Sequence, residues 1–564
     1  MTQTRADRSA DLTSGPMLQK IILFSIPLAA SSILQLLFNA ADVVVVGRFA
    51  GSTALAAVGS NGSLINLLVN LFVGLSLGAN VVAARCFGAK DEHGVQDTVH
   101  TAVTLGLTSG VLLAVVGFFA ARGLLELMSC PEDVIDLSAL YLKIYFIGMP
   151  MNMLYNFSSA LLRAVGDTKR PLYCLAAAGI INVVLNLVFV IGFSMSVAGV
   201  ALATIISETV SACLVTAMLV REKGALHLDL HKLGFHAGAL KQILLIGVPI
   251  TLSNSAMSII NIIDTKIVMG RLQNGLGLAE EAAAVLNGQY RIAMNMPNMV
   301  ASFVYPVTMS LIPFAAAALA RQDHAGADRI ISSAFRIIAI LALPAGIGLS
   351  VLSTPIMVLV LPAQREDALA AGPHLQVLGI ALIFICLMIL TNAILQTYGK
   401  EKLPIFTVIV GGIVKIIMNY FLVGNPDINI HGAPISTLCC YLVIVVLNLF
   451  FVWKYSPQKP RYLEVFAKPV AASLLMGGAA WAVYGLASRV LDGAFLALAQ
   501  QMFADPDKIQ LWSVYLANAA CVLLGILAGV IVYGVLVIAL RILRAEDVRS
   551  IPRGEKLIKL LHLK

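Results

Sequence analysis

Seven ionisable side chains stand inside apolar stretches of this sequence: the acids Asp42, Glu208 and Asp264, and the bases Lys143, Lys266, Arg291 and Lys415. A charge at the centre of an inserted helix costs roughly 2.5–3.5 kcal/mol, so each one calls for a physical reason. A buried carboxylate can exchange a proton with a polar pathway, or hold Na⁺ when oxygen neighbours are present. Asn39 lies one turn before Asp42, and Asn261 one turn before Asp264, so each amide oxygen can share a helix face with its acid. Asp42, Asn39, Asp264 and Glu208 are therefore candidates for ion coupling. Lys266, Arg291 and Lys415, together with Asn261, are candidates for a substrate cavity, because a basic cavity suits an anionic head group such as a diphosphate. The plainer reading is an internal ion pair, for example Asp264 with Arg291, that only locks helices together. Asp264 has more basic neighbours than Asp42, which places coupling on Asp42 first. Lys143 lies close to a helix end and is expected to reach outward.

The acids recur in a pattern. Residues 18–48, LQKIILFSIPLAASSILQLLFNAADVVVVGR, are echoed by 240–271, LKQILLIGVPITLSNSAMSIINIIDTKIVMGR. Pro27 answers to Pro249 and Asp42 to Asp264 in one constant register, and Gly47-Arg48 answers to Gly270-Arg271 after a single insertion. A second register links ALLRAVGDTKRPL (160–172) to AILQTYGKEKLPI (393–405), pairing Gly166 with Gly399 and Pro171 with Pro404. The same register carries Asn186 onto Asn419, Gly199 onto Gly432 and Thr204 onto Thr437, whereas Glu208 meets Tyr441 and has no echo. Pro27 and Pro249 are hinge candidates, since an internal proline removes one helix hydrogen bond; membrane helices also tolerate proline with no such role.

The elements that must position these groups follow from composition. Of 564 residues 59% are hydrophobic and only 12% charged, and the mean hydropathy is +0.90. Soluble chains carry about 25% charged residues, so this is an integral membrane protein. Crossing the hydrocarbon takes about 20 apolar residues per helix. The runs predict an all-α, polytopic fold of about fourteen transmembrane helices. Six spans, near 18–47, 54–84, 99–121, 134–162, 171–194 and 197–220, build one lobe. Six more, near 241–270, 283–319, 330–362, 372–397, 403–424 and 431–453, build the second. Two extra helices follow, near 467–488 and 511–540. An even number of spans per unit makes the lobes parallel, related by a pseudo-two-fold axis along the membrane normal. The runs are continuous rather than alternating, which excludes a β-barrel.

Accordingly the chain divides into a cytoplasmic tail (1–16), a first lobe (17–222), a cytoplasmic loop (223–240), a second lobe (241–455), the two extra helices (456–543) and a basic tail (544–564). Residues 1–16 are polar and the apolar run after them is too long for a cleavable signal, so the first helix is expected to stay in place. With both termini in the cytoplasm, the outer segments hold only Arg48, Arg122, Arg271, Arg365, Arg489 and Lys508 of the 38 Lys and Arg, which is the bias that orients membrane proteins. The same bias accounts for the net charge of +8 without a nucleic-acid partner. The last stretch, RILRAEDVRSIPRGEKLIKLLHLK, suits anionic lipid. Eight cysteines show no CxxC or Cys/His spacing and read as apolar fillers, not as a disulfide or metal framework.

No GxxxxGK[ST] or HExxH sequence occurs, and the GxSxG match GLSLG (74–78) lies inside an apolar span instead of at a strand-to-helix turn, so neither a Walker-type ATP site nor a familiar catalytic constellation is present. A secondary transporter explains charges repeated at matching depths; an enzyme or a purely structural membrane protein does not.

The stretch PLAASSILQLLFNAADVVVVGRFAGSTALAAVGSNGSLINLLVNLFVGLSLGANVVAARCFGAKD (27–91), followed by LLRAVGDTKRPL (161–172) and INVVLNLVFV (181–190), resembles the first lobe of the MATE (multidrug and toxic compound extrusion) transporters. The resemblance implies a V-shaped pair of six-helix lobes, alternating access, and export of amphipathic drug-like compounds in exchange for H⁺ or Na⁺. Asp42 falls on that family's first-helix aspartate. Asn186 stands where many bacterial members carry a second aspartate; an amide does not titrate, so a proton relay through this helix is in doubt, and Asn186 joins the coupling candidates. By contrast, YRIAMNMPNMVASFVYPVTMSLIPFAAAALARQD (290–323), AFRIIAILALPAGIGLSVLSTPI (334–356) and ILQTYGKEKLPIFTVIVGGIVKIIMNYFLVG (394–424) resemble polysaccharide and lipid-linked oligosaccharide flippases of the same superfamily. Export of a small amphipathic substrate stands slightly ahead of flipping a lipid-linked one. The expected setting is the plasma membrane, with membrane lipid as partner, no cofactor besides the coupling ion, no enzymatic activity, and a monomer.

Overall fold

In the computed structural model residues 27–542 are described, apart from residues 29, 36, 39–40, 43–44, 47–48, 50–51, 128–131, 321, 362–364, 457–458, 460–461, 503–505 and 541. Asn39, the Gly47-Arg48 pair, the N-terminal tail and the basic tail thus lie outside the described residues.

Lipid offers no partner for backbone N–H and C=O groups, so apolar spans close their hydrogen bonds internally as helices. Every described residue from 27 to 49 is helical (α1). The first lobe continues with α2 (Ser52–Gly88), α3 (Glu92–Leu127), α4 (Glu132–Ile147), α5 (Met149–Ala164), α6 (Lys169–Leu187) and α7 (Ser196–Arg221). The second holds α8 (Ala237–Gly270), α9 (Glu280–Ala320), α10 (His324–Val351), α11 (Ser353–Val360), α12 (Arg365–Thr397), α13 (Lys402–Leu422) and α14 (Gly432–Tyr455). Helices α15 (Tyr462–Met502) and α16 (Pro506–Ala539) pack on each other and against α10 and α11, outside both lobes. No strand occurs among the described residues.

Ten described helices are long and apolar enough to cross a membrane, and the bent α4–α5 pair makes an eleventh. The remaining expected spans, 18–47, 54–84 and 283–319, fall on α1, α2 and α9. Fourteen is the count expected from sequence. Two spans read as single helices are broken. The span 134–162 is α4 and α5 meeting at 50°, because Pro150 starts α5 and cannot continue α4's hydrogen bonding. The span 330–362 divides at Leu352 into α10 and α11, with Pro355 in the first turn of the second piece.

The two repeat registers meet physically inside each lobe. A methyl added to Gly179 on α6 would land on the Phe38 ring of α1; one added to Gly412 on α13 would land on the Ile260 side chain of α8. Phe38 and Ile260 share the register that pairs Asp42 with Asp264, and Gly179 and Gly412 the one that pairs Asn186 with Asn419. Packing pairs recur likewise: α2–α5 with α9–α12, α3–α5 with α10–α12, α5–α7 with α12–α14, and α6–α7 with α13–α14.

The lobes close on each other along α2 and α8. A Cβ on Gly78 would lie 2.7 Å from the Ile243 carbonyl oxygen and 2.8 Å from Gly247 Cα, and a Cβ on Gly247 would lie 2.9 Å from Leu75 Cα. These are backbone atoms, which cannot rotate away. At the end of this seam Arg85 pairs with Glu401 of the other lobe at 3.9 Å. We expect Gly78→Val to force the seam apart, lowering stability by about 1–3 kcal/mol as overpacked cores do. Disulfide cross-linking across α2 and α8, from introduced cysteines, should weaken in parallel; unchanged cross-linking and thermal stability would refute this close approach.

Candidate functional site

Each lobe carries one carboxylate held by an asparagine from a neighbouring helix. In the first lobe α6 brings Asn186 against α1, where its Nδ2 donates to Asp42 Oδ1. The other Nδ2 hydrogen reaches Asn182 Oδ1, one turn earlier on α6, at 3.1 Å. Asn182 Nδ2 in turn reaches Thr204 Oγ1 on α7 at 3.5 Å. Asn186 is 1% exposed, and its Oδ1 is buried with no hydrogen-bond partner. Asp42 itself is half-buried, and no cation lies within ion-pair distance of it among the described residues. The first lobe therefore presents an uncompensated carboxylate beside an orphaned amide oxygen.

The second lobe repeats this geometry with the carboxylate and the amide oxygen both partnered. Asn419 Nδ2 on α13 donates to Asp264 Oδ1 on α8, and Asn419 Oδ1 accepts from Ser436 Oγ on α14. Lys415 Nζ lies 2.9 Å from Asp264 Oδ2. Asp264, Lys415, Asn419 and Ser436 are all buried. The expectation that Arg291 would pair with Asp264 is corrected here: Lys415 is the partner, because it projects from α13 one turn before Asn419, whereas Arg291 is exposed and donates to Thr265 Oγ1. Asn261 is exposed as well, and Asp264 takes its partners from α13 instead.

Glu208 forms a separate group. Asn152 Nδ2 of α5 donates to its Oε1 at 2.9 Å, and Asn156 supports Asn152 by donating to Asn152 Oδ1 at 3.0 Å. Lys266 is exposed, just beyond Asp264 in sequence and hence on another face of α8. Lys143 lies over the Phe118 ring at 5.7 Å, near the end of α4. Pro27 is buried in α1, and α8 runs unbroken through Pro249. The structure thus gathers Asp42 with Asn186, and Asp264 with Lys415; it leaves Glu208, Arg291, Lys266 and Asn261 apart from both.

Asn182 and Ser436 were not singled out by sequence. Both were within reach of the register that pairs Asn186 with Asn419: in it Asn182 answers to Lys415, and Ser436 to Ala203.

Residues 27–188 match the MatE family, and residues 233–499 match the family Lipid II flippase MurJ. The N-terminal half is thus similar to MATE proteins and the C-terminal half to a flippase. The chain is 35% identical over 211 residues to the probable multidrug resistance protein YoeA of Bacillus subtilis (strain 168), an alignment covering 37% of this chain and 46% of that protein. It is 32% identical over 204 residues to the probable multidrug resistance protein YpnP of the same organism, covering 36% and 46%. The chain spans about half the length of these curated relatives. Over both halves the fold follows a solved structure described as MATE in the bent conformation, with TM-score 0.71 and 20% identity over 83% of this chain and 99% of that one. The flippase-like half therefore keeps the fold of a MATE lobe. The long apolar helices make the chain a multi-pass membrane protein.

Proposed function

We propose that this protein is a secondary active exporter that works by alternating access, moving amphipathic drug-like compounds out of the cell in exchange for H⁺ or Na⁺. The observation that carries the reading is the open Asp42–Asn186 site: among the described residues, a carboxylate with no fixed counter-charge next to an amide oxygen with no donor. A cation entering there gains two oxygens at once, and a proton neutralises the carboxylate. The α2–α8 seam, where glycines let two lobes touch over backbone, gives the lobes a surface on which to rock. The curated relatives named as multidrug resistance proteins support a drug-like substrate. The excess of Lys and Arg in alternate segments supports termini in the cytoplasm of a plasma-membrane protein; membrane lipid is the partner expected of its basic tail, and the working unit is a monomer.

Reconstituted into vesicles, the full chain should drive a cationic dye against its gradient when a proton or sodium gradient is imposed, and should stop when the gradient is collapsed with ionophore. Dye movement that ignores both gradients would defeat the reading.

A second reading, flipping of a lipid-linked saccharide, is favoured by the flippase match over 233–499 and by Lys266 and Arg291, exposed cations within it. Under it, Arg291→Ala should slow movement of a fluorescent lipid-diphosphate saccharide about tenfold or more, the loss of roughly 1.5–3 kcal/mol of charged hydrogen bonding to phosphate. If the variant only loses thermal stability, Arg291 serves Thr265 and the helix pair instead. Binding of a cationic dye against a lipid diphosphate in detergent separates the two readings.

A further inference from the structure

The second-lobe site is the first-lobe site with two changes, and both changes fill it. Asn182 of the first lobe is replaced by Lys415, and Ala203 by Ser436, both in the register that carries Asn186 onto Asn419. The lysine places an ammonium 2.9 Å from Asp264. The serine hydroxyl donates to Asn419 Oδ1, the atom whose first-lobe equivalent, Asn186 Oδ1, has no partner. Everything else in the arrangement is kept: the acid on the lobe's first helix, the asparagine that donates to it, and the glycine about two turns earlier that lets the two helices approach.

We propose that Lys415 is a tethered cation seated where the first lobe receives an exchangeable one, so that the second lobe is permanently loaded and the protein couples through one lobe only. A covalently attached ammonium cannot leave, and its entry into the site needs no gradient. Ser436 completes the occupancy by donating to the oxygen that would otherwise face an incoming ion. Asp264 then acts as a positioning residue for Lys415 and Asn419. The cost of burying this pair is met by mutual attraction and by the added hydrogen bonds. This inference rests on the reading of Asp42 as the loading site, and its test is arranged so that the two can fail separately.

The measurement is cation uptake by the purified full chain in detergent, read as protons taken up on acidification from about pH 8 to about pH 5, a range that spans a buried carboxylate's titration, and as sodium bound from sodium chloride against a choline chloride blank. Asp42→Asn should lose about one equivalent per chain relative to wild type. If it loses none, the reading of Asp42 fails, whatever happens in the second lobe. The paired change Asp264→Asn with Lys415→Met should lose none; an equal loss there shows that the second site exchanges its cation, and overturns the proposal. Lys415→Asn, which restores the first-lobe residue, should gain about one equivalent, and a folded variant with no gain also overturns it. Should Lys415→Asn not fold, the reciprocal Asn182→Lys decides: it should tether a cation against Asp42 and lose the equivalent that Asp42→Asn loses, and full wild-type uptake would refute the equivalence of the two positions.

Discussion

Replacing Asp42 with asparagine is expected to bring gradient-driven export down to the level of vesicles without protein, while the chain inserts and folds as before. Among the described residues of the first-lobe site this carboxylate is the only exchangeable charge, and Asn186 and Asn182 beside it carry none at any pH. The fold should survive for a reason of magnitude. Removing an ionised group from a span relieves roughly 2.5–3.5 kcal/mol, whereas the charged hydrogen bond from Asn186 is worth about 1.5–3 kcal/mol. The two nearly cancel, so lost flux in this variant reports coupling and not unfolding. Dye flux in vesicles and the thermal midpoint, measured on the same preparation, check both halves of the statement. Wild-type flux from Asp42→Asn would remove Asp42 from the mechanism.

The largest effect on stability is expected from Lys415→Met. It leaves Asp264 buried without its counter-charge, the situation that destabilises proteins by about 3–5 kcal/mol. Combining it with Asp264→Asn should recover most of that loss, because neutral side chains of similar volume often replace a buried pair at little cost. A double-mutant cycle from denaturation curves gives the coupling directly. If the single change is as stable as wild type, the ion pair does not form in the folded protein. Under the tethered-cation proposal, Lys415→Met should also become more stable as the coupling cation is raised, since a ligand that binds only the folded state stabilises it by mass action.

Much of the fold was legible because lipid leaves the backbone so little choice. Long apolar runs had to be helices, and a proline and an aspartate that recur in one register, Pro27 with Pro249 and Asp42 with Asp264, had to mark equivalent positions. Where sequence and structure part, the cause is local. The span 134–162 carries an unbroken apolar pattern, so hydropathy could not register the bend that Pro150 forces between α4 and α5. The candidate site was partly legible too. Asp42, Asn186, Asp264 and Lys415 are all in view, yet the sequence places Lys415 and Arg291 alike in a substrate cavity and offers Arg291 as the example of an ion-pair partner. Distance along the chain gave no guide: Arg291 follows Asp264 on the very next long helix, whereas Lys415 comes five helices later.

By itself, then, the sequence determined that this is a duplicated all-helical membrane protein with one costly carboxylate at the head of each lobe. Composition, period and register are properties of the chain, and they need no partner to be read. Which charge faces which was decided by the tertiary structure alone. Helix α13 crosses α8 so closely at Gly412 that Asn419 and Lys415, one turn apart on one face, both reach Asp264. Among the described residues the same crossing of α6 over α1 offers Asp42 the amide of Asn186, backed by Asn182. One lobe is closed by its own lysine and the other left open because two helices of like design meet with different side chains at the contact.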